Sequence, residues 1–500
     1  MLSFRFSPQS GAGLVAAALA SCASVPADPG RDEVQSHVAE RGLDIVERPG
    51  EETRELVDDL LSEPIAADDA VAIALLQNPR LRAAYAQLRL AAADVYEAGR
   101  LSNPRLSAAW LDSDDPAAVA DRLTFGLAQS FTDLLLLRAR SRLARGEFRR
   151  VQQLAAGEIV DLATETQAGW FELAGAEQSA EMRAAIVKAT GSSAEVAERF
   201  FAAGNITHLE LALERAAASE ARLALLDARA RVTRERTRLN SLLALPADTS
   251  YEIVSGLPEP PEKEEELEAF VELAYTTRLD LAAQRREVEL LADNLAVNRR
   301  YRWLGALGDV EIGAERERET DESTLRGPTL ALEIPVFNQN ADSVTRAEAR
   351  LAVAEAELAA LEVDIGNAVR LAYAQVQTAR QRLREYTEAL MPLREEIVER
   401  TQEHVNFMLM GVFELLRAQR QEYDAYLGYL EAVRDYWLAR AALGQAVGRT
   451  LPDTGAGTNR VGADELTTPE PMDMDDLQQG DRAPSRSDEP SAHTGHGDET

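Results

Sequence analysis

Residue types that carry covalent or metal chemistry are scarce in this sequence. It has 5 histidines and 1 cysteine in 500 residues. Neither a His-Glu-x-x-His pair nor a Gly-rich phosphate-binding loop ending in Lys-Ser or Lys-Thr occurs. The many carboxylates fall on the charged faces of predicted helices, where we expect them to be solvated surface groups. The residues therefore predict no catalytic site and no cofactor, and we do not expect an enzyme.

The histidines give only weak signs of metal binding. His493 and His496 lie among acidic residues near the C terminus, with Met472 and Met474 upstream. Imidazole, thioether and carboxylate groups can bind copper-like ions, but short acidic tails also carry such residues without a metal role. His208 and His404 stand next to predicted helix ends, where a solvated position is the simpler interpretation. No metal site is predicted.

The single cysteine, Cys22, follows a segment typical of a signal peptide. Residues 1–21 contain Arg5 and then an apolar run from about Gly11 to Ala20. Leu19-Ala20-Ser21-Cys22 resembles a bacterial lipobox, which predicts cleavage before Cys22 and lipidation of its thiol. The alternative is an ordinary signal peptide with a chance cysteine. By resemblance to lipoprotein sorting, Ala23 after the cysteine favours the outer membrane.

Composition narrows the class of protein. The net charge of −32 argues against nucleic acid as a partner, since polyanions need clustered Lys and Arg. Aromatic residues make up 5% and apolar residues 45%, a mixture that favours long, closely packed helices. No run of 18 apolar residues follows the signal segment, so a membrane span would have to be a closed β-barrel.

The chain reads as two copies of one unit. Ala74–Leu81 aligns with Ala274–Leu281, Gly204 with Gly411, and Leu245-Pro246 with Leu451-Pro452. The predicted organisation is an N-terminal extended segment at 22–65, first and second repeats at 66–246 and 266–452, a linker at 247–265, and a disordered acidic tail at 453–500.

Each copy follows the same predicted order of elements. A helix (about 66–99 and 266–301) leads to a β-hairpin (about 103–131 and 306–337) and then to two long helices. The long helices are predicted at about 133–200 and 206–245, and at about 340–409 and 413–449. In the second copy a heptad seam comprises Leu351, Ala354, Leu358, Leu361, Ile365, Ala368 and Ala372. Helices of this length, roughly 100 Å, must pack against similar helices.

The hairpin segments alternate between apolar and small or polar residues. We expect one face to meet lipid, through Leu123, Phe125, Leu127, Leu330, Leu332 and Ile334. Acidic residues on the other face would line a wet lumen, namely Glu311, Glu315 and Glu333. The alternative is two soluble hairpins on a helical protein. Four strands cannot close a membrane barrel, so the barrel interpretation requires an oligomer.

From about Ile65 to Pro452 the sequence resembles the TolC family of outer membrane efflux proteins. Pro335-Val336-Phe337-Asn338 is similar to the turn that follows the second hairpin. Two segments resemble the periplasmic tips of the helical hairpins, Phe201-Ala202-Ala203-Gly204-Asn205-Ile206 and Met408-Leu409-Met410-Gly411-Val412-Phe413. The region from His404 to Ala439 is similar to the heavy-metal, copper-resistance branch (CusC/CzcC-like).

The resemblance implies a mainly α fold with a small β part: a long coiled-coil α-barrel joined to a trimeric, 12-stranded β-barrel. It implies a homotrimeric exit duct in the outer membrane of a Gram-negative bacterium, working with a periplasmic adaptor and an inner-membrane pump. The gate and adaptor-contact residues would be Phe201, Gly204, Asn205, Ile206, Met410, Gly411, Val412 and Phe413. The competing interpretation is a periplasmic coiled-coil lipoprotein that acts as a scaffold or adaptor without a pore.

Overall fold

A computed structural model describes residues 30–43, 50–112, 114, 119–261, 263–337, 339–451 and 460–462. The signal segment, Cys22, Asn338 and the histidines of the C-terminal tail lie outside the described residues. The described part consists mainly of long helices, with a four-stranded and a two-stranded antiparallel sheet.

The N-terminal segment is helical, so the prediction of an extended 22–65 region is wrong for the part described. It contains α1 (Arg31–Ala39) and α2 (Gly50–Leu60). Val34 and Val38 are four residues apart, lie on one side of α1 and are fully buried. Burial of this apolar side stabilises a helix too short to persist alone.

Each helix predicted before a hairpin is divided into shorter helices. The first pair is α3 (Ala67–Gln77) and α4 (Pro79–Ala98); the second set is α7 (Leu267–Thr277), α8 (Leu279–Arg300) and α9 (Arg302–Ala306). Pro79 forces the residue before it out of the α-helical region, and the Asn78 side chain then caps α4 by accepting from the Arg80 backbone N–H at 2.8 Å. Arg278 takes a similar extended conformation at the second break.

The strands are β1 (Arg105–Leu111), β2 (Arg122–Ser130), β3 (Leu257–Pro258), β4 (Glu311–Arg318), β5 (Thr324–Ala331) and β6 (Arg460–Val461). Four of them form one antiparallel sheet in the order β1-β2-β4-β5, so the two hairpins lie side by side. Within the described chain, β1 and β5 are the unpaired edges of this sheet.

The long helices are α5 (Phe131–Ala202), α6 (His208–Leu243), α10 (Ala341–Arg384), α11 (Met391–Asn406) and α12 (Val412–Val447). Helix α5 begins where β2 ends, because the Ser130 hydroxyl caps it by accepting from the Asp133 backbone N–H at 3.1 Å. Its 72 residues would extend roughly 110 Å at 1.5 Å per residue.

The helix predicted at 340–409 is not continuous. A π-helical segment, Glu385–Leu390, separates α10 from α11. Pro392 explains it physically, because proline has no N–H to donate and its ring crowds the carbonyl four residues earlier. Within α10 the buried seam departs from the predicted heptads: Ala368 is exposed while Val369 is buried, as expected when a helix of 3.6 residues per turn carries a 3.5-residue repeat.

An aromatic cluster holds the middle of the helical body together. Phe171 packs edge-to-face with Trp170 at a ring-centroid distance of 5.5 Å and stacks on Trp437 at 5.2 Å. Both indole N–H groups donate to backbone carbonyls of segments outside the long helices, Trp170 to Ile65 at 3.0 Å and Trp437 to Pro258 at 2.8 Å. These bonds fix the connecting segments against the helices.

A short piece of the predicted disordered tail is ordered. Residues 460–461 form β6, which pairs antiparallel with β3 in the predicted linker. The Gln178 side-chain amide of α5 donates to the Val461 carbonyl, and the Arg460 guanidinium donates to the Gly256 carbonyl at 3.3 Å. The tail prediction is therefore wrong at this point, because the backbone at 460–461 finds an edge strand to pair with.

Candidate functional site

The four-stranded sheet has one apolar and one acidic face. Register places Leu106 opposite Leu127, Leu127 opposite Ala314, and Ile312 opposite Leu330, so these side chains share one face. We call this the apolar face: Leu106, Ala108, Trp110, Leu123, Phe125, Leu127, Ile312, Ala314, Pro328 and Leu330. Leu106, Trp110 and Leu330 are each more than 60% exposed in the single chain.

Predicted residues of the second hairpin are only partly in the sheet. Leu330 lies on the apolar face as expected, but β5 ends at Ala331, and Leu332 and Ile334 fall outside the strand. Glu333 is also outside it; its backbone N–H donates to the Leu307 carbonyl at 3.0 Å. The hairpin predicted at 306–337 is therefore shorter, because its pairing extends only from Glu311 to Ala331.

The opposite, acidic face carries Glu311, Glu315 and Glu317 from alternating positions of β4. Two of these carboxylates form cross-strand ion pairs. Glu311 pairs with Arg105 at 2.6 Å, and Glu317 pairs with Arg122. Sequence reasoning identified Glu311 and Glu315 on this face but missed Glu317, Arg105 and Arg122. The available signal for the two arginines was their alternation with the apolar residues of β1 and β2.

The two helical hairpins end side by side, which brings the predicted tip residues together. Phe200 of α5 contacts Phe413 of α12 edge-to-face at 5.8 Å between ring centroids. Phe201 contacts His208 across the first turn at 5.9 Å. Thr207 and Glu210 form a reciprocal capping box that starts α6. Gly204, Asn205, Met410 and Gly411 are exposed, whereas Ile206, Val412 and Phe413 are half-buried.

The two tip turns reverse the chain at different kinds of residue, although each predicted tip segment contains a glycine. Gly204 has φ of +77°, but the left-handed position of the second turn is taken by Met408, with φ of 59°. Gly411 is extended, with φ of −82°, and caps the start of α12. The residue of the second turn that corresponds to Gly204 in the first is therefore Met408, not Gly411.

Replacement of Gly204 by alanine tests the first turn. No atom lies within 4 Å of the position that a Cβ would occupy, so the whole penalty comes from the positive φ. We expect Gly204→Ala to lower the free energy of unfolding by about 1 kcal/mol. Gly191→Ala is the matched control: it is equally open but inside α5, where alanine should stabilise by about 0.5–1 kcal/mol. Chemical denaturation of the purified protein measures both, and equal signs would contradict the role of φ.

The second tip also exposes three apolar residues next to Met410 that sequence reasoning did not include among the site residues. Phe407 is 75% exposed, Met408 92% and Leu409 72%. Four consecutive apolar residues, Phe407–Met410, at the end of a charged helix were the signal for this surface. Together with Phe201, they form what we call the tip surface: Phe201, Phe407, Met408, Leu409 and Met410.

A pair of carboxylates lies between α11 and α12, above the tip surface. The Tyr426 hydroxyl donates to Glu395 at 2.9 Å and lies 3.5 Å from Glu422. Burial raises the pKa of Glu422 above its ordinary value, and the neighbouring Glu395 raises it further, against a smaller opposing effect of Tyr426. The helix pair therefore holds a carboxyl that is easier to protonate than an exposed one.

Neither a metal-binding cluster nor a membrane-spanning helix occurs among the described residues. No group of three or more His, Cys, Asp or Glu side chains among them could hold a metal ion. His208 and His404 are exposed at separate turns. No helix in this part of the chain combines the length and apolar character that crossing a membrane requires.

Comparison with known proteins places the fold. Residues 70–245 match the family of outer membrane efflux proteins. The structure is similar to the CmeC outer membrane channel of Campylobacter jejuni, at 15% identity, a TM-score of 0.62 and coverage of 80% of this chain and 89% of that one. VceC, an outer membrane protein of Vibrio cholerae, is 17% identical with a TM-score of 0.59, and the match covers 80% of this chain and 96% of VceC. CusC is 15% identical with a TM-score of 0.59, and the match covers 80% of this chain and 93% of CusC. No curated protein sequence matches.

These similarities show which fold the chain has. It is the fold of outer membrane channels, and the match over 70–245 supports the outer membrane efflux family. The proteins that this chain resembles in structure are transport channels, not enzymes.

Proposed function

We propose that this chain forms the exit duct of a tripartite efflux system, as a homotrimer in the outer membrane that receives substrate from a periplasmic adaptor and an inner-membrane pump. The observation that carries the proposal is the sheet, which has two unpaired edges in the described chain and an apolar face whose side chains are mostly about half exposed or more. Unpaired edges favour pairing with a further strand, and an exposed apolar patch favours burial against lipid or protein.

Pairing of the sheet with the sheets of neighbouring chains would explain why its two edge strands have no partner in the described chain. Strands β1 and β5 present unpaired backbone N–H and C=O groups, and β5 of one copy can pair with β1 of the next. Three copies of four strands supply twelve, above the eight with which single-chain membrane barrels begin. Closure then leaves no edge exposed to lipid.

The two faces of the sheet suit the two surfaces of such a barrel. The apolar face would meet lipid, and the acidic face, with Glu311, Glu315 and Glu317, would line a water-filled interior. An aqueous lumen tolerates the Arg105–Glu311 and Arg122–Glu317 ion pairs. The carboxylates would favour the entry of cations.

The tip surface fits the contact with the adaptor. Its apolar side chains are exposed at the end of a helical hairpin, where a partner can bury them. Opening of the duct would follow if the adaptor binds the open arrangement of the helical hairpins more tightly than the closed one. The predicted tip residues Phe201, Gly204, Asn205 and Ile206 belong to the same contact.

Other parts of the proposal rest on sequence alone. We include lipidation of Cys22 and the organisation into two related units, 66–246 and 266–452. A metal substrate is not part of the proposal, because the similarity to CusC, at 15% identity, concerns the fold and not the substrate. Substrate selection is assigned to the pump.

Single-channel conductance of the purified mature protein in planar bilayers tests the proposal. We expect stable, cation-preferring steps. A closed gate would give silence, so the measurement is repeated with Gly204→Pro and Met408→Pro, which disturb the turns at the tips because both residues have a positive φ that proline cannot adopt. Absence of conductance from wild-type and variant oligomers of correct size would favour the scaffold without a pore.

A further inference from the structure

Three arginines interrupt the apolar face near the hairpin ends. Arg316 and Arg318 lie on β4 and Arg326 on β5, at the same alternating positions as Ile312 and Leu330. Register places Arg316 directly opposite Arg326, with Arg318 one row nearer the hairpin end. All three side chains are exposed.

These arginines differ from those on the acidic face in their partners. Arg105 and Arg122 each form an ion pair with a glutamate across the sheet. Among the described residues, no carboxylate forms an ion pair with Arg316, Arg318 or Arg326. Asp121, which shares their face, instead accepts a hydrogen bond from the Trp110 indole N–H at 2.8 Å.

Two cations directly opposite each other on neighbouring strands destabilise a sheet. An anion bound between them would reverse that effect, and guanidinium groups donate two parallel hydrogen bonds to phosphate with good geometry. The Arg316–Arg326 pair therefore has the chemistry of a phosphate-binding site.

The surroundings of the arginines indicate which phosphate would bind. Below them on the same face lie Ala314, Ile312 and Leu330, over roughly 13 Å of strand from Arg326 to Leu330. Trp110 stands in the row of Arg318, and tryptophan is enriched where a membrane meets water. A neighbouring copy docked through β1 would bring Leu106, Ala108 and Trp110 to this face, none of them acidic.

We propose that Arg316, Arg318 and Arg326 form a docking site for the phosphate headgroups of anionic membrane lipids, whose acyl chains cover the apolar rows below. This inference rests on the proposed function, because it assigns the apolar face to lipid. It adds a preference among lipids that the exit-duct role does not require.

The test measures lipid binding by the purified full-length chain in detergent. Fluorescently labelled dioleoyl phosphatidic acid is titrated against wild-type protein, with the phosphatidylcholine of equal chain length for comparison. The double variant Arg316→Gln/Arg326→Gln should bind phosphatidic acid roughly tenfold or more weakly. The matched control Arg105→Gln/Arg122→Gln removes two arginines from the opposite face and should remain within about twofold of wild type.

Three results would overturn the lipid site. They are equal losses in the two variants, equal binding of phosphatidylcholine and phosphatidic acid, and full competition by millimolar inorganic phosphate, which would indicate a free-anion site. A changed oligomer size with unchanged lipid binding would reassign the arginines to a protein contact. Conductance of Arg316→Gln/Arg326→Gln in phosphatidylcholine bilayers separates the two proposals, since loss of lipid binding with retained conductance leaves the exit duct standing.

Discussion

The double substitution Phe125→Asp/Leu127→Asp is expected to reduce insertion into membranes roughly tenfold or more. Both side chains lie on the apolar face, about half exposed in the single chain, with Ala108 and Leu106 opposite them on β1. A carboxylate facing hydrocarbon costs free energy in proportion to its depth, and each copy in an oligomer adds its own penalty. The fraction of protein that floats with liposomes after reconstitution measures the effect.

The same strand provides a matched control. Thr124 and Ala128 alternate with Phe125 and Leu127 and face the acidic side, so Thr124→Asp/Ala128→Asp adds the same charge to a solvated surface. This variant should insert nearly as well as wild type. Circular dichroism of both variants in detergent checks that the long helices still form. Equal insertion of the two variants would contradict the lipid-facing assignment and support two soluble hairpins.

The faces of the sheet could be predicted from the sequence because strand alternation has a period of two. Leu123, Phe125 and Leu127 fall on one side in any register that keeps the strand intact, and Glu311 and Glu315 fall together for the same reason. The long helices could be predicted equally well, since their periodicity extends over many turns. The structural comparisons confirm the channel fold that these patterns, with the family resemblance, predicted.

Local geometry could not be predicted in the same way. Each tip segment contains a glycine, but the helix end decides which residue is left-handed, and at the second tip that residue is Met408. The helix predicted at 340–409 took no account of Pro392, and whether a proline gives a kink, a break or a π-segment depends on packing against α12, where Tyr386 lies over Gly428. The Glu264 carboxylate forms ion pairs with Arg380 and Arg440, which lie 116 or more residues further along the chain. No periodic pattern in the sequence reaches so far.

Glu264→Ala is expected to lower the free energy of unfolding by about 3 kcal/mol. The carboxylate, with 5% of its side chain exposed, pairs with Arg440 at 3.1 Å and Arg380 at 3.7 Å and accepts a hydrogen bond from the Tyr436 hydroxyl. Removal of the anion leaves two cations in a site with little access to water, which costs more than the pair itself contributes. Chemical denaturation of the detergent-solubilised protein measures the loss.

Glu265→Ala is the control, because Glu265 is exposed next to Glu264 and should change stability by less than about 0.5 kcal/mol. The combined variant Glu264→Leu/Arg440→Met removes one charge of each sign and should recover part of the loss. Recovery would show that the penalty comes from uncompensated charge rather than from lost packing. Equal effects of Glu264→Ala and Glu265→Ala would mean that the segment between the two units is not held by this ion pair, and that Trp437 and its bond to the Pro258 carbonyl fix it instead.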